Sequence, residues 1–336
     1  MTEATSTQIL LASRPSGWPT QENFTVQTVE LPELKTGEIR VRNEFISVDP
    51  YMRGRMNDTR SYIPPFKIGE QILGGAIGRV IETADEAFPA GTLVQHQLGW
   101  SDTVQADSAN FKQAPDLPGV SSSLRLHILG MTGLTAYVGL SAVANLAEGE
   151  TVFVSGAAGA VGTAAGQIAK LMGAKRVIGS AGSAEKVELL TSKYGYDAAF
   201  NYKDGDVRGQ LAAAAPEGID VFFDNVGGDH LEAALAAFND GGRAALCGAI
   251  ASYNTTESTP GPQNMANLIT RGLKLQGFTL SSYLDLAPEF GERMGKWFSE
   301  GKIAYDETIV DGIENTVDAF LGMMRGANTG KMLVRI

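Results

Sequence analysis

Cysteine is nearly missing. Cys247 is the only one in 336 residues, which excludes an intrachain disulfide and suits a reducing compartment such as the cytoplasm. Histidine is almost as scarce. His96, His127 and His230 stand far apart, and no cluster of Cys, His and carboxylates has the spacing of a metal site. Positive charge is also short: 27 Lys and Arg against 38 Asp and Glu leave a formal charge of −11, the wrong sign for a general nucleic-acid or anionic-membrane binder. The start, Met1 to Thr7, carries neither the basic nor the apolar region of a signal peptide. Thr151–Ala169 has no charge and is almost long enough to span a bilayer. Gly156, Gly159, Gly162 and Gly166, with Ser155 and Gln167, mark it instead as a buried strand, turn and helix.

What the chain does have is glycine, 40 residues of it, well above the average of about 7%, so tight turns and close backbone approaches are expected. The length suggests two domains, at roughly 100–200 residues each. From Gln8 to about Lys112 the apolar stretches are short and strand-like (Ile9–Ala12, Phe24–Val29, Ile39–Val48, Ile77–Ile81, Leu93–Gln95), which predicts a β-rich domain. After Leu124, strands and helices alternate: Thr151–Val154, Ala160–Leu171, Val177–Gly179, Glu185–Lys193, Ala198–Tyr202, Val207–Ala215, Val221–Asp224, His230–Phe238, Ala244–Cys247 and Leu275–Thr279. That alternation predicts an α/β domain with a doubly wound parallel sheet, over residues 126–304. The tail has a helix near Val317–Met324 and a last strand, Met332–Ile336, and is assigned back to the first domain, giving 1–125 with 305–336. A chain that leaves a domain and returns to it creates a junction of the kind that ligands favour.

The most informative segment is Thr151-Val-Phe-Val-Ser-Gly-Ala-Ala-Gly-Ala-Val-Gly162, where strand, glycine turn and helix follow one another. In the G-x-G-x-x-G register of a dinucleotide site, Ala157 replaces the first glycine while Gly159 and Gly162 keep the second and third places. Gly156, Gly159, Ala160, Val161 and Gly162 are thus the candidate pyrophosphate turn. Gly159 would admit the phosphates, Gly162 would let the helix pack closely, and the N–H groups opening the helix would bind the anion. A phosphate loop is excluded, because Thr163-Ala164 follow Gly162 instead of Lys-Ser/Thr. An NAD site usually carries an acid about 20 residues on. Here the turn reads Gly179-Ser-Ala-Gly-Ser-Ala-Glu-Lys186: Ser180 and Ser183 are neutral donors and Lys186 can meet a 2′-phosphate, which favours NADP, with Glu185 next door as the counter-argument. No Gly-x-Ser-x-Gly elbow is present, and no Tyr-x-x-x-Lys pair follows the turn. Without a metal or an acid–base pair, alcohol oxidation is poorly served. Reduction of a polarised C=C bond, with a hydrogen-bond donor holding the enolate, is better served.

These features, together with longer strings, give a likeness to a family. The strings are Asp49-Pro-Tyr-Met-Arg53, Gly69-Glu70 followed by Gly75 and Gly78-Arg-Val80, Gly130-Met-Thr-Gly-Leu-Thr-Ala-Tyr137, Phe200-Asn-Tyr-Lys203, Phe223-Asp-Asn-Val-Gly-Gly228, Cys247-Gly-Ala-Ile250, Tyr253-Asn254 and Gly330-Lys331. Over nearly its whole length the chain resembles the zinc-independent medium-chain dehydrogenases/reductases, within them the prostaglandin reductases, plant double-bond reductases and bacterial curcumin-reductase-like enzymes. Zinc-binding relatives carry Gly-His-Glu where this chain has Gly69-Glu70. The resemblance implies a Rossmann domain with a GroES-like β-domain, NADPH as cofactor, no metal, and a homodimer. It matches Lys186 to the 2′-phosphate lysine, Tyr202 to a tyrosine on the adenosine side and Asn225 to a cofactor-contacting asparagine. Cys247, Gly248, Ala249, Ile250 and Tyr253 match the loop beside the nicotinamide ribose. Phe278, Thr279 and Leu280 match a strand end beside the nicotinamide, and Asn328 an asparagine from the tail.

The activity implied is NADPH-dependent reduction of the C=C bond of α,β-unsaturated ketones and aldehydes, with a small conjugated carbonyl compound as partner. Tyr253 is the first-choice donor to the enolate, and Tyr51 and Tyr62 are the second choices, since a phenol is a neutral donor with a pKa near ~10. Expected wall residues are Leu98, Trp100 and Met131. Trp100 is read as part of a surface loop, free to stack on a flat substrate, and Met131 serves equally well as core. Two alternatives stay open: an NADPH quinone reductase, and an NADPH-binding protein without catalysis.

Overall fold

Short apolar strands separated by glycine and proline turns open the chain. In a computed structural model, which describes residues 4–257 and 260–336, they are β1 (Thr5–Leu11), β2 (Phe24–Glu30), β3 (Glu38–Ser47), β4 (Ala76–Thr83), β5 (Leu93–His96), β6 (Thr103–Asp107) and β7 (Lys112–Gln113), with the short helix α1 (Tyr51–Arg55) after β3. Met1–Glu3, part of the polar start, lie outside the described residues. The following segment holds α2 (Met131–Val138), β8 (Thr151–Val154), α3 (Ala160–Leu171), β9 (Arg176–Ala181), α4 (Ala184–Ser192), β10 (Ala198–Asn201), α5 (Val207–Ala214) and β11 (Ile219–Asp224). It continues with α6 (Gly228–Ala237), β12 (Phe238–Leu246), α7 (Asn267–Thr270), β13 (Lys274–Gly277) and α8 (Ala287–Ser299), and the tail adds β14 (Glu307–Asp311), α9 (Thr316–Met324) and β15 (Lys331–Arg335). By contacts the chain divides into two units. One is Met1–Leu126 with Glu307–Asn328 and Met332–Ile336, and the other is His127–Asp306 with Thr329–Lys331.

In the second unit six strands lie in the order β10-β9-β8-β11-β12-β13, with every described pairing parallel. This is the doubly wound α/β sheet that the strand–helix alternation predicts. β8 is Thr-Val-Phe-Val, buried at all four positions, because helices cover both faces of such a sheet. One face carries Phe153, Ile178, Phe222, Leu211 and Leu235, each fully buried, and the Phe153 and Phe222 rings stack at 4.9 Å. Each such side chain contributes roughly 1.5–3 kcal/mol. Strand order reverses at the β8–β11 pair, whose carboxyl ends are where open α/β sheets bind ligands. Ser122–Val143 is long and apolar enough by composition to cross a bilayer, but 67% of its most apolar window is buried inside the protein, as in a core helix.

In the first unit a seven-stranded sheet pairs β3 with β4, β6 and β15, all antiparallel. Trp100 corrects the sequence reading. It is no surface residue: it is 0% exposed, its indole N–H donates to Ser47 O at 3.2 Å, and its ring lies 6.0 Å from Phe24 and 5.6 Å from Phe320. Those contacts come from sequence-distant segments, so the local Leu98-Gly99-Trp100-Ser101 pattern could not show them, and the ring has no free face for a substrate. His96 is also structural. Leu98 N–H donates to its Nδ1 at 3.1 Å while Nε2 meets Asn43 Oδ1 at 2.8 Å.

Candidate functional site

After Val154 the chain turns through Ser155–Gly159 into α3. Gly156 sits at φ +58°, where a side chain is strained, and Ala157 N–H donates to Ser180 O at 2.9 Å, seating the turn on the end of β9. A Cβ at Gly162 would lie 2.4 Å from Gly156 O and 2.6 Å from Ala157 Cα, so only glycine lets α3 approach the turn this closely. Gly159 is the N-cap of α3 and no side chain caps it. The first-turn amides of Ala160, Val161 and Gly162 are therefore of the kind that helices present to anions. Gly330 closes the turn from the tail: its N–H donates to Ala158 O at 2.9 Å, and it bridges Gly159.

Across the switch point, β11 ends at Asp224, which is 1% exposed. Its Oδ1 accepts from Ser155 Oγ at 2.7 Å and from the N–H groups of Val226 and Gly227, both at 2.9 Å. Asn225 N–H donates to Ser155 Oγ at 2.9 Å, and the Asn225 amide donates to Ser155 O at 2.8 Å. The Asn225 side chain is thus tied to the neighbouring strand end. Asp224 O accepts from Cys247 N–H at 2.8 Å and Gly248 N–H at 3.0 Å. Burial, and then the Asp224 carboxylate, push the Cys247 thiol up to about 12, which makes it a poor nucleophile. In the same loop, Ala249 N–H donates to Tyr253 Oη at 3.3 Å, and Ile250 N–H to Asn225 O. Burial raises the Tyr253 phenol, so its proton stays available for donation.

At the ends of β9 and β10, Ser183 caps α4 by accepting from Lys186 N–H at 3.3 Å. Lys186 is half-buried, and burial followed by the charge of Lys203 lowers its pKa. Two ammonium groups therefore share this corner, an arrangement that suits a phosphate. Lys203 stands in the Phe-Asn-Tyr-Lys string, but its pairing with Lys186 needs the fold to be seen. Tyr202 stands beside Lys203: a Cβ at Gly182 would meet its hydroxyl at 3.1 Å, Lys203 Nζ is 5.9 Å from its ring, and His230 packs edge-on at 5.4 Å.

Phe278 is half-buried after β13, edge-on to Phe223 at 6.4 Å and to Tyr283 at 6.3 Å, with Thr279 and Leu280 following. Met131, first residue of α2, is 37% exposed and not core. In the first unit Leu98 packs on the β-sheet core around Val41 and Val94. Tyr51 opens α1, and burial and then Asp49 raise its phenol, while the Arg55 guanidinium beside it pulls the other way. Tyr62 is 66% exposed, and Asn328 is the last residue of the returning segment. Among the described residues no group of three or more His, Cys, Asp or Glu side chains is placed to hold a metal.

Two family profiles match the chain: one described as the N-terminal domain of oxidoreductase, over residues 7–114, and one described as zinc-binding dehydrogenase, over residues 160–299. Prostaglandin reductase 1 of Sus scrofa is 44% identical over 325 residues, 95% of each chain. The NADP(+)-dependent 2-alkenal reductase of Nicotiana tabacum is 39% identical over 343 residues, covering 99% of this chain and 98% of that one. The crystal structure of CurA in complex with NADPH from Vibrio vulnificus superimposes with a TM-score of 0.93 at 40% identity, over 99% of both chains.

Proposed function

The chain belongs to the NADP-dependent medium-chain dehydrogenases/reductases, and from that membership we infer that it is an oxidoreductase that reduces the C=C bond of α,β-unsaturated ketones and aldehydes with NADPH. The observation that carries this reading is full-length likeness, at 39% and 44% identity, to enzymes named for alkenal and prostaglandin reduction. The site suits that cofactor. The uncapped start of α3 and the glycine turn fit a pyrophosphate, and the Lys186–Lys203 corner fits a 2′-phosphate.

Gly156, Gly159, Ala160, Val161 and Gly162 would hold the pyrophosphate, and Tyr202 would flank the adenosine. Asn225, Cys247–Ile250, Tyr253, Phe278–Leu280 and Asn328 would serve the nicotinamide half. Bound NADPH supplies a hydride. With the hydride accepted at the β-carbon, Tyr253 would donate a hydrogen bond to the carbonyl oxygen as negative charge gathers there, with Tyr51 and Tyr62 as the alternative donors, and a proton passed from water would complete the saturated product. We assign the reaction to residues 126–304 for cofactor and to 1–125 with 305–336 for substrate. The reading is of a zinc-independent enzyme, since Cys247 is a lone thiol and His96 is engaged with Asn43. It is also of a cytoplasmic homodimer that binds neither nucleic acid nor membrane. β13 is the largely exposed edge of the six-stranded sheet, an edge of the type that a second copy covers.

The test is turnover of NADPH, and separately NADH, with an alkyl vinyl ketone, a 2-alkenal, a phenyl-conjugated enone and a quinone, followed by product analysis. Saturated carbonyl products with strong NADPH preference are expected. NADPH consumption with the quinone alone, or none at all, would sink the reading.

A further inference from the structure

We infer that the Asp224 carboxylate is a positioning group that locks the phosphate turn and the Asn225–Gly227 loop into one arrangement across the switch point, an inference that rests on the NADPH reading above. The phosphate turn grows from β8, the 225–227 loop from β11 and the 247–253 loop from β12. Nothing in a parallel sheet fixes how such loops stand relative to one another once the strands have ended. Lateral hydrogen bonds at the strand ends must do it.

Here those bonds converge on one residue. A single carboxylate oxygen of Asp224 takes the Ser155 hydroxyl from the first segment and two backbone N–H groups from the second. The backbone oxygen of the same residue takes two N–H groups from the third. Ser155 returns the connection: its hydroxyl oxygen accepts Asn225 N–H, its carbonyl accepts the Asn225 amide, and its own N–H donates to Phe223 O at 3.1 Å. A carboxylate only 1% exposed is costly to bury, and an apolar side chain would fill a strand end at lower cost. What the carboxylate provides is an acceptor that several donors reach together. The donors it gathers lie on both sides of the point where the chain order reverses, so its loss frees the phosphate grip and the 225–227 loop at once.

Asparagine keeps an acceptor oxygen at the same place, and alanine removes it. In ligand-free protein, Asp224→Ala is expected to speed amide hydrogen exchange in 155–160 and 225–228 together, and to leave unchanged both the Lys186–Lys203 corner and 247–248, whose N–H groups bond the backbone oxygen that alanine keeps. NADPH dissociation constants from fluorescence titration should rise roughly 10- to 100-fold. Asp224→Asn should restore both readouts to within about threefold, since the neutral acceptor keeps most of each bond. Ser155→Ala, which removes a milder part of the network, should move the same two segments less, and it carries the test if Asp224→Ala does not fold. The inference is overturned if exchange quickens only at Val226 and Gly227, or if either alanine variant binds NADPH like the unaltered protein. Should the unaltered protein bind no NADPH, the functional reading fails, while the exchange pattern still decides the coupling.

Discussion

A methyl group at position 162 has no room: its carbon would lie 2.4 Å from Gly156 O, 2.6 Å from Ala157 Cα and 2.7 Å from Ala157 C. All three are backbone atoms of the turn, so no side-chain rotation relieves the overlap, and α3 and the turn must move apart. Overpacking of this kind costs about 1–3 kcal/mol, against a gain of up to ~1 kcal/mol from the better helix propensity of alanine. Gly162→Ala should therefore lose about 1–2 kcal/mol, a fall of some 2–8 °C in melting temperature for a unit of this size. Position 159 is the contrast. There a Cβ has a single neighbour within 4 Å, Gly156 O at 3.4 Å, and φ is −82°, which any residue adopts. Gly159→Ala should leave stability within about 0.5 kcal/mol. If the turn takes the pyrophosphate, the added methyl meets it directly, and NADPH affinity should fall by at least about tenfold. Thermal unfolding without nucleotide and a fluorescence titration with NADPH separate the two effects. The reasoning is refuted if Gly162→Ala melts with the unaltered protein, or if Gly159→Ala loses as much stability as Gly162→Ala.

Other outcomes follow from the same geometry. Lys186→Ala and Lys203→Ala should each raise KM for NADPH by roughly tenfold and leave NADH kinetics alone, which steady-state assays with both nucleotides will show. Tyr253→Phe should lower kcat on the order of 100-fold with little change in melting temperature, and an unaltered kcat would remove Tyr253 from the donor role. Cys247, with its thiol pushed to about 12, should resist iodoacetamide in the folded protein at pH 8 and label on unfolding, as mass spectrometry can follow. The histidines predict acid sensitivity. Burial lowers His96 and His230 to about 4 and His127 to about 3 from an ordinary 6.5, so above pH 7 both folded and unfolded states are neutral there. Below 6.5 the unfolded chain takes up protons that the fold refuses, and stability drops toward pH 4 by up to about 1.4 kcal/mol per pH unit for each histidine. Urea unfolding at pH 7, 6 and 5 measures this, and a flat profile would contradict it.

The parts of the fold legible in the sequence are those whose signal is local. Thr151–Val154 and Ala160–Leu171 are readable to the residue, because an apolar tetrapeptide, a glycine turn and a small-residue helix follow one another without interruption. Two elements are less legible. α8 buries Phe290, Met294 and Trp297 at helical spacing and has a proline in its first turn, but Gly291 and Gly295 weaken its propensity. β12 starts at Phe238, well before Ala244, because Asp240-Gly241-Gly242 reads as a turn although the strand runs through it. The site divides the same way. The turn is visible in the glycines, but what holds it is not: Asp224 is flanked by a more conspicuous asparagine and glycines, and its partner Ser155 follows a different strand. The charge of Lys203 reaches Lys186 only because β9 and β10 lie side by side. Trp100 shows the converse, an aromatic in a glycine-flanked tetrapeptide that looks like a loop until Phe24 and Phe320 enclose it.

The bond from Gly330 to Ala158 also governs how this protein can be cut. Gly330 sits at φ +64° with Asp306 O 1.9 Å from where a Cβ would be, so only glycine threads that gap and reaches the turn. A recombinant fragment spanning 127–306 would contain all six parallel strands and every residue of the glycine turn, yet it would lack the strap that closes the turn from outside. Contiguity in sequence is thus a poor guide to what must be expressed together. The smallest piece carrying an intact turn is discontinuous, and a working fragment needs residues 329–331 grafted back by a linker or supplied as a separate peptide.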